Sequence, residues 1–187
     1  AGAAASDLIL AANALLMQLF MLFSYVMDGF AYAGEALAGR HVGAGSRTGF
    51  RATTRRLMAW GGALSLAFTL LYLAAGSGLL ALLTSDRAVI ATAQAYLPWA
   101  IAIPLVSFAA FIFDGIFVGA TATGFMLLSM AAASAVFFVM YYALTDVWGN
   151  HALWFAFLAY LGTRGGAEAL CLPHIANRVG RQTLSQS

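Results

Sequence analysis

The sequence predicts an all-α fold: a polytopic bundle of helices built to sit in a membrane. Three observations lead there. Of 187 residues, 63% are hydrophobic and only 9% charged, against about 25% charged in an ordinary soluble domain. The apolar residues gather into five stretches, each with the ~20 residues needed to cross a hydrocarbon core. Those stretches are rich in Ala and Leu and too long for barrel strands. Only helices and closed barrels satisfy all backbone groups in lipid, so helices are selected.

The predicted helices span roughly residues 8–37, 57–83, 88–120, 124–145 and 150–174 of a single unit, 1–187. The first runs into "HVGAGSRTG", whose glycines suit a helix end. The second follows a group of arginines. The third has Ser85 or Asp86 as an N-cap in "LTSDRAVI" and ends near the glycine of "ATATG". It also contains Pro98 and Pro104, each of which removes a backbone donor and invites a kink or partial unwinding. The fourth ends near "TDVWGN", and Asn150 offers the N-cap of the fifth. Trp60, Trp99, Trp148 and Trp154 suit interfacial anchoring.

Arginine placement sets the topology. Arg40, Arg47, Arg51, Arg55 and Arg56 crowd the first connection, and Arg178 and Arg181 follow the fifth helix. The connections on the other side hold only Asp86 with Arg87, and Asp146. The positive-inside rule therefore places the first connection and the C-terminus in the cytoplasm, in a multi-pass protein of the cell (inner) membrane. Five crossings put the two ends on opposite sides, in agreement with the charges. A net charge of +2 is too mild for a nucleic-acid partner. One cysteine, Cys171, and three dispersed histidines provide no metal centre, and no cofactor is expected. The beginning, "AGAAASDLILAANALL", lacks a Met and a basic leader, which reads as a chain opened in the middle.

Two segments echo each other: "MDGFAYAGEALAGR" from Met27 and "FDGIFVGATATG" from Phe113. Both place Asp-Gly late in an apolar helix running in the same direction, which resembles the internal repeats of secondary transporters. At 100° per residue, Asn13, Tyr25, Asp28, Tyr32 and Glu35 form one polar stripe on the first helix. Ser107, Asp114 and Thr121 form another on the third. Two matching stripes are expected to line a shared wet cavity. A charged Asp at the centre of a spanning helix costs about 2.5–3.5 kcal/mol on insertion scales, so such residues commonly mark proton or ion pathways. Asp114 and Asp28 are accordingly the candidates for cation or proton coupling, with Na⁺ near Asp114 as one form of it. Asn13, Gln18, Tyr25, Tyr32, Glu35, Ser107 and Thr121 are candidates for cavity lining.

Structural alternatives accompany these readings. Glu35 can form a salt bridge with Arg40 or Arg164, and Arg164 can pair with Glu168 one turn on. Phe108, Phe111, Phe113 and Phe117 suit packing or lipid contact. "GAGSRTG" lacks the strand and lysine of a phosphate-binding loop, so it is read as a connection.

Three stretches resemble a known family. "LAANALLMQLFMLFSYVMDGFAYAGEALAGRHVGAG" looks like the eighth helix of the multidrug and toxic compound extrusion (MATE) family, in its DNA-damage-inducible F subgroup. "YLPWAIAIPLVSFAAFIFDGIFVGATAT" looks like the tenth helix, and "WGNHALWFAFLAYLGTRG" like the start of the twelfth. The resemblance implies a twelve-helix protein of two lobes, of which this chain holds the eighth to twelfth helices, with the N-terminal lobe as its missing partner. It also implies an antiporter rather than an enzyme, exporting drugs or toxic metabolites, small organic molecules that include cations, in exchange for H⁺ or Na⁺ influx. Several family members use an acid on the tenth helix for coupling, and Asp114 stands at the matching place. Gln18 is an amide where some members carry an acid, and "GATATGF" lacks an arginine frequent in the family.

Other functions remain in view: a flippase for lipid-linked precursors from the same superfamily, or a non-catalytic membrane subunit or decayed fragment. A flippase would want more cavity cations for phosphate groups. An intramembrane aspartyl protease is disfavoured, because Met27 and Phe113 precede the two aspartates and its Tyr-Asp and Gly-x-Gly-Asp motifs are absent.

Overall fold

The computed structural model describes residues 2–182, and side chains from Ser6 to Val179. Five helices follow one another: α1 Gly2–Gly43, α2 Arg47–Leu83, α3 Arg87–Gly119, α4 Thr123–Trp148 and α5 Asn150–Gln182. No strand occurs among the described residues. The shortest helix, α4, has 26 residues and rises about 39 Å, more than a hydrocarbon core.

The helices extend beyond the apolar runs that predict them. The clearest difference is α2, which begins at Arg47, ten residues before its predicted start at 57. Arg47, Arg51, Arg55 and Arg56 therefore ride on its first turns rather than in a loop. Long guanidinium side chains can reach the interface from a helix end, so charge does not terminate the helix there. The actual connection is Ala44–Ser46. Gly45 takes φ +62°, and the Ser46 amide donates back to the His41 carbonyl at 2.9 Å, closing α1. Ser46 also accepts from the Gly49 amide to cap α2. At the start of α3 it is Asp86 that caps, accepting from the Ala88 and Val89 amides. Pro98 and Pro104 lie inside an α3 assigned as helix throughout, so the partial unwinding expected there does not occur.

α1 to α4 are long and apolar enough to span a membrane. α5 was expected to match them, and it does in length, with 33 residues. Its apolar character is interrupted by Arg164 and Glu168, which face inward. Leu82 and Leu170, each 83% exposed, show the kind of surface that lipid must cover.

The core sits around α3. One buried cluster joins Leu16, Leu19, Tyr72, Ile103 and Trp154. The other joins Phe23, Met27, Phe50, Ile112, Phe117 and Val179 towards the arginine-rich end. Phe113 and Phe117 are buried, so packing rather than lipid contact is their role. Trp154 is buried too and donates to Asn13, which removes it from the expected interfacial anchors. The Tyr72 hydroxyl donates to the Leu19 carbonyl at 2.6 Å, linking α2 to α1.

α1 and α3 make the closest association in the bundle. They run parallel, and their backbones touch through "GIFVG", Gly115 and Gly119 four residues apart. A Cβ at Gly115 would collide with the Ala31 carbonyl, and one at Gly119 with the Glu35 carbonyl. A Cβ at Gly39 would stand 3.3 Å from the Gly119 carbonyl oxygen. Small residues let helices approach in this way where lipid offers no hydrophobic drive for association. The echo noticed in the sequence is thus a physical neighbourhood, because the two Asp-Gly segments lie side by side.

Gly115→Leu or Gly119→Leu is expected to force α1 from α3 and to cost about 1–3 kcal/mol of overpacking strain. Thermal midpoints of the full-length protein in detergent should fall accordingly. Gly29→Ala, where an added methyl meets nothing within 4 Å, should leave the midpoint within about a degree of wild type.

Candidate functional site

Gly115 presses on α1, so Asp114, one residue earlier and about 100° round the helix, points elsewhere. It points at α5. There the Arg164 guanidinium donates through Nη2 to Asp114 Oδ2. One turn along α5, Glu168 Oε1 lies 3.8 Å from Arg164 Nε and accepts from the Ser129 hydroxyl of α4 at 2.9 Å. Four polar side chains from three helices therefore meet inside the bundle. Glu168 is 0% exposed. The Asp114 and Arg164 side chains retain only 20% and 15% exposure.

The cluster is incompletely satisfied. Asp114 Oδ1, Glu168 Oε2 and Arg164 Nε are buried without a hydrogen-bond partner. Asp28 of α1 lies within electrostatic reach of Asp114. An ion pair removed from water gains stability only when its remaining polar atoms are matched, so the cluster is costly as it stands.

The other predicted residues distribute unevenly. Asp28 is half-buried, while Tyr25 and Tyr32 are 70% and 71% exposed and Glu35 and Gln18 are also exposed. This α1 stripe opens on the outer face of α1, beside the glycine seam. The expected cavity between the stripes does not lie between α1 and α3, whose backbones are in contact. Gln18 and Tyr25 instead line a groove of about 310 Å³ between α1 and α2, together with Leu79 and Leu83. Asn13 forms a reciprocal amide pair with Asn150, at 2.7 and 2.9 Å, and accepts from the Trp154 indole. It ties α1 to α5 and is only part-buried. Ser107 is buried and returns its hydroxyl proton to the Ile103 carbonyl within its own helix. Thr121 lies past the end of α3, exposed, with φ +52°.

Glu35 forms no salt bridge to Arg40 or Arg164 among the described residues. Arg164 bonds Asp114 rather than chiefly Glu168, the partner expected from helical spacing, because α3 approaches α5 closely at Gly165. A Cβ on that glycine would stand 3.3 Å from the Ala110 amide nitrogen. The sequence reads Arg164 and Glu168 as a packing pair and so leaves both outside the candidate site, and it does not single out Ser129. Glu168 had a signal, as a carboxylate spaced for an ion pair within an apolar helix. Ser129, in "LLSMAAASAVFF", had none.

Among the described residues, no group of three or more His, Cys, Asp or Glu is placed to hold a metal ion. Helices long enough to span lipid, enclosing a charged cluster, define a multi-pass membrane protein. The MatE family model matches residues 2–143, and the chain belongs to the MatE family. It is 40% identical over 165 residues to DNA damage-inducible protein F of Escherichia coli (strain K12). That alignment covers 88% of this chain and 36% of the relative, so the chain spans about a third of that protein's length. No solved structure shows a significant match.

Arg164→Met removes the positive charge of the buried cluster and is expected to cost about 3–5 kcal/mol. Chemical or thermal unfolding of the full-length protein should report the loss. A variant as stable as wild type would show that the cluster is hydrated enough to need no counter-charge.

Proposed function

We propose that the chain is the C-terminal part of a secondary active antiporter that exports drugs or toxic metabolites in exchange for H⁺ or Na⁺. The observation that carries this reading is the Asp114–Arg164–Glu168–Ser129 cluster, buried inside helices made for lipid. Ionisable groups in that setting are expensive, and a transport protein has a use for them. Membership in the MatE family supports the same reading.

In this proposal Asp114 changes partner during the cycle. With Arg164 bound, its charge is neutralised and α3 is tied to α5. Exchange of Arg164 for H⁺ or Na⁺ as the partner of Asp114 releases that tie and lets the helices rearrange. The ion drives the cycle only through its different affinity for the inward- and outward-facing states, and a tenfold difference corresponds to about 1.4 kcal/mol. Asp28, within electrostatic reach, tunes the same carboxylate. The exposed stripe of Tyr25, Tyr32 and Glu35 faces the remainder of the longer protein, where substrate is received. The arginine-rich end lies in the cytoplasm of a cell (inner) membrane.

Efflux of a fluorescent cationic dye by the full-length protein in vesicles, under imposed H⁺ or Na⁺ gradients, tests this. Asp114→Asn should reduce gradient-driven efflux at least tenfold, and Asp28→Asn by a smaller factor, with both variants folded. Undiminished efflux in Asp114→Asn would refute the coupling role.

A further inference from the structure

We infer that Asp114 and Glu168 together hold a single proton, shared between the two carboxyl groups, so that Glu168 is a proton-binding residue and not only a packing partner. The inference begins with charge. Two carboxylates and one guanidinium meet in one buried cluster, so with all three ionised it carries one uncompensated negative charge in a setting that penalises it. One proton removes it.

The hydrogen-bond inventory points to the same count. The two unmatched oxygens of the cluster, Asp114 Oδ1 and Glu168 Oε2, are both acceptors. They belong to carboxyl groups that both lie against the Arg164 guanidinium. Two ionised carboxylates cannot bond each other, because neither has a donor. Protonating either one supplies the O–H donor that the two carboxyl groups lack between them. Arg164 stays on Asp114 Oδ2 and Ser129 stays on Glu168 Oε1, each on the oxygen that the shared proton does not need.

The surroundings leave the proton few other places. From α3 the facing titratable group is Asp114. From α4 it is Ser129, which does not titrate. α5 provides Arg164, beside Glu168 itself. α1 provides Asp28, which lies within electrostatic reach of Asp114. Two carboxyls held against one guanidinium titrate as one unit, so the proton belongs to the pair.

The test is infrared spectroscopy of the full-length protein in lipid at neutral pH, following the C=O stretch of a protonated carboxyl group. Wild type should show the band. Glu168→Gln and Asp114→Asn should each lose it, because one remaining carboxylate beside Arg164 stays ionised. Ser129→Ala should keep the band but move its frequency, because Glu168 loses a donor; this variant alters no charge and serves if either of the others fails to fold. Absence of the band in wild type, its survival in either carboxyl variant, or an unmoved frequency in Ser129→Ala would overturn the inference. The readout contains no transport step, so it stands or falls separately from the antiport reading.

Discussion

The contact between Asp114 and Arg164 is the constraint on which the rest of the structure depends. It places opposite charges from α3 and α5 inside a bundle whose outer surface is apolar. Removing either partner strands the other, which is far more costly than never burying the pair. Two packing features make the contact geometrically available. Gly115 brings α3 onto α1 and so turns Asp114 away from it. Gly165 brings α5 onto α3 and so sets Arg164 opposite. Two glycines without side chains thus determine where two charges meet.

α3 is consequently the hub of the bundle. It takes α1 on one side, α2 and α5 on others, and is buried along most of its length. α4 is the reverse: only Ser129 and Ala133 are buried, and it rests mainly on α5. That Ser129 is one of the two, and that its hydroxyl reaches Glu168, links the most peripheral helix to the charged cluster. A change of charge at Asp114 can therefore be felt on three helices without any long-range path, since α3, α4 and α5 all end on it. The family match runs through residue 143, so Asp114 and Ser129 lie within the matched span while Arg164 and Glu168 lie beyond it.

Much of this was legible in the sequence. The five helices follow from apolar length alone, and Asp114 announces itself as a carboxylate in hydrocarbon. Their ends were not legible, because the arginines that open α2 look like a loop when only hydropathy is weighed. The parallel between the Asp28 and Asp114 segments was visible, but its cause was not. The recurring small residues form a contact seam, and a seam excludes the chamber that two matching polar stripes suggest. Asn13 demanded a partner, yet nothing local indicates that it lies on α5, 137 residues away at Asn150. Arg164 illustrates the general difficulty. Spacing along α5 favours Glu168, and only the close approach of α3 at Gly165 gives Asp114 the stronger claim.

A double-mutant cycle between positions 114 and 164 tests the central claim most directly. Unfolding free energies of the full-length protein would be measured for wild type, Asp114→Asn, Arg164→Met and the double variant. The account predicts that the double variant is more stable than the sum of the single losses allows, by at least about 1.5 kcal/mol, as found for buried close charge pairs. Additivity within about 0.5 kcal/mol would mean that the two side chains do not depend on each other, and the structure's organising contact would be contradicted.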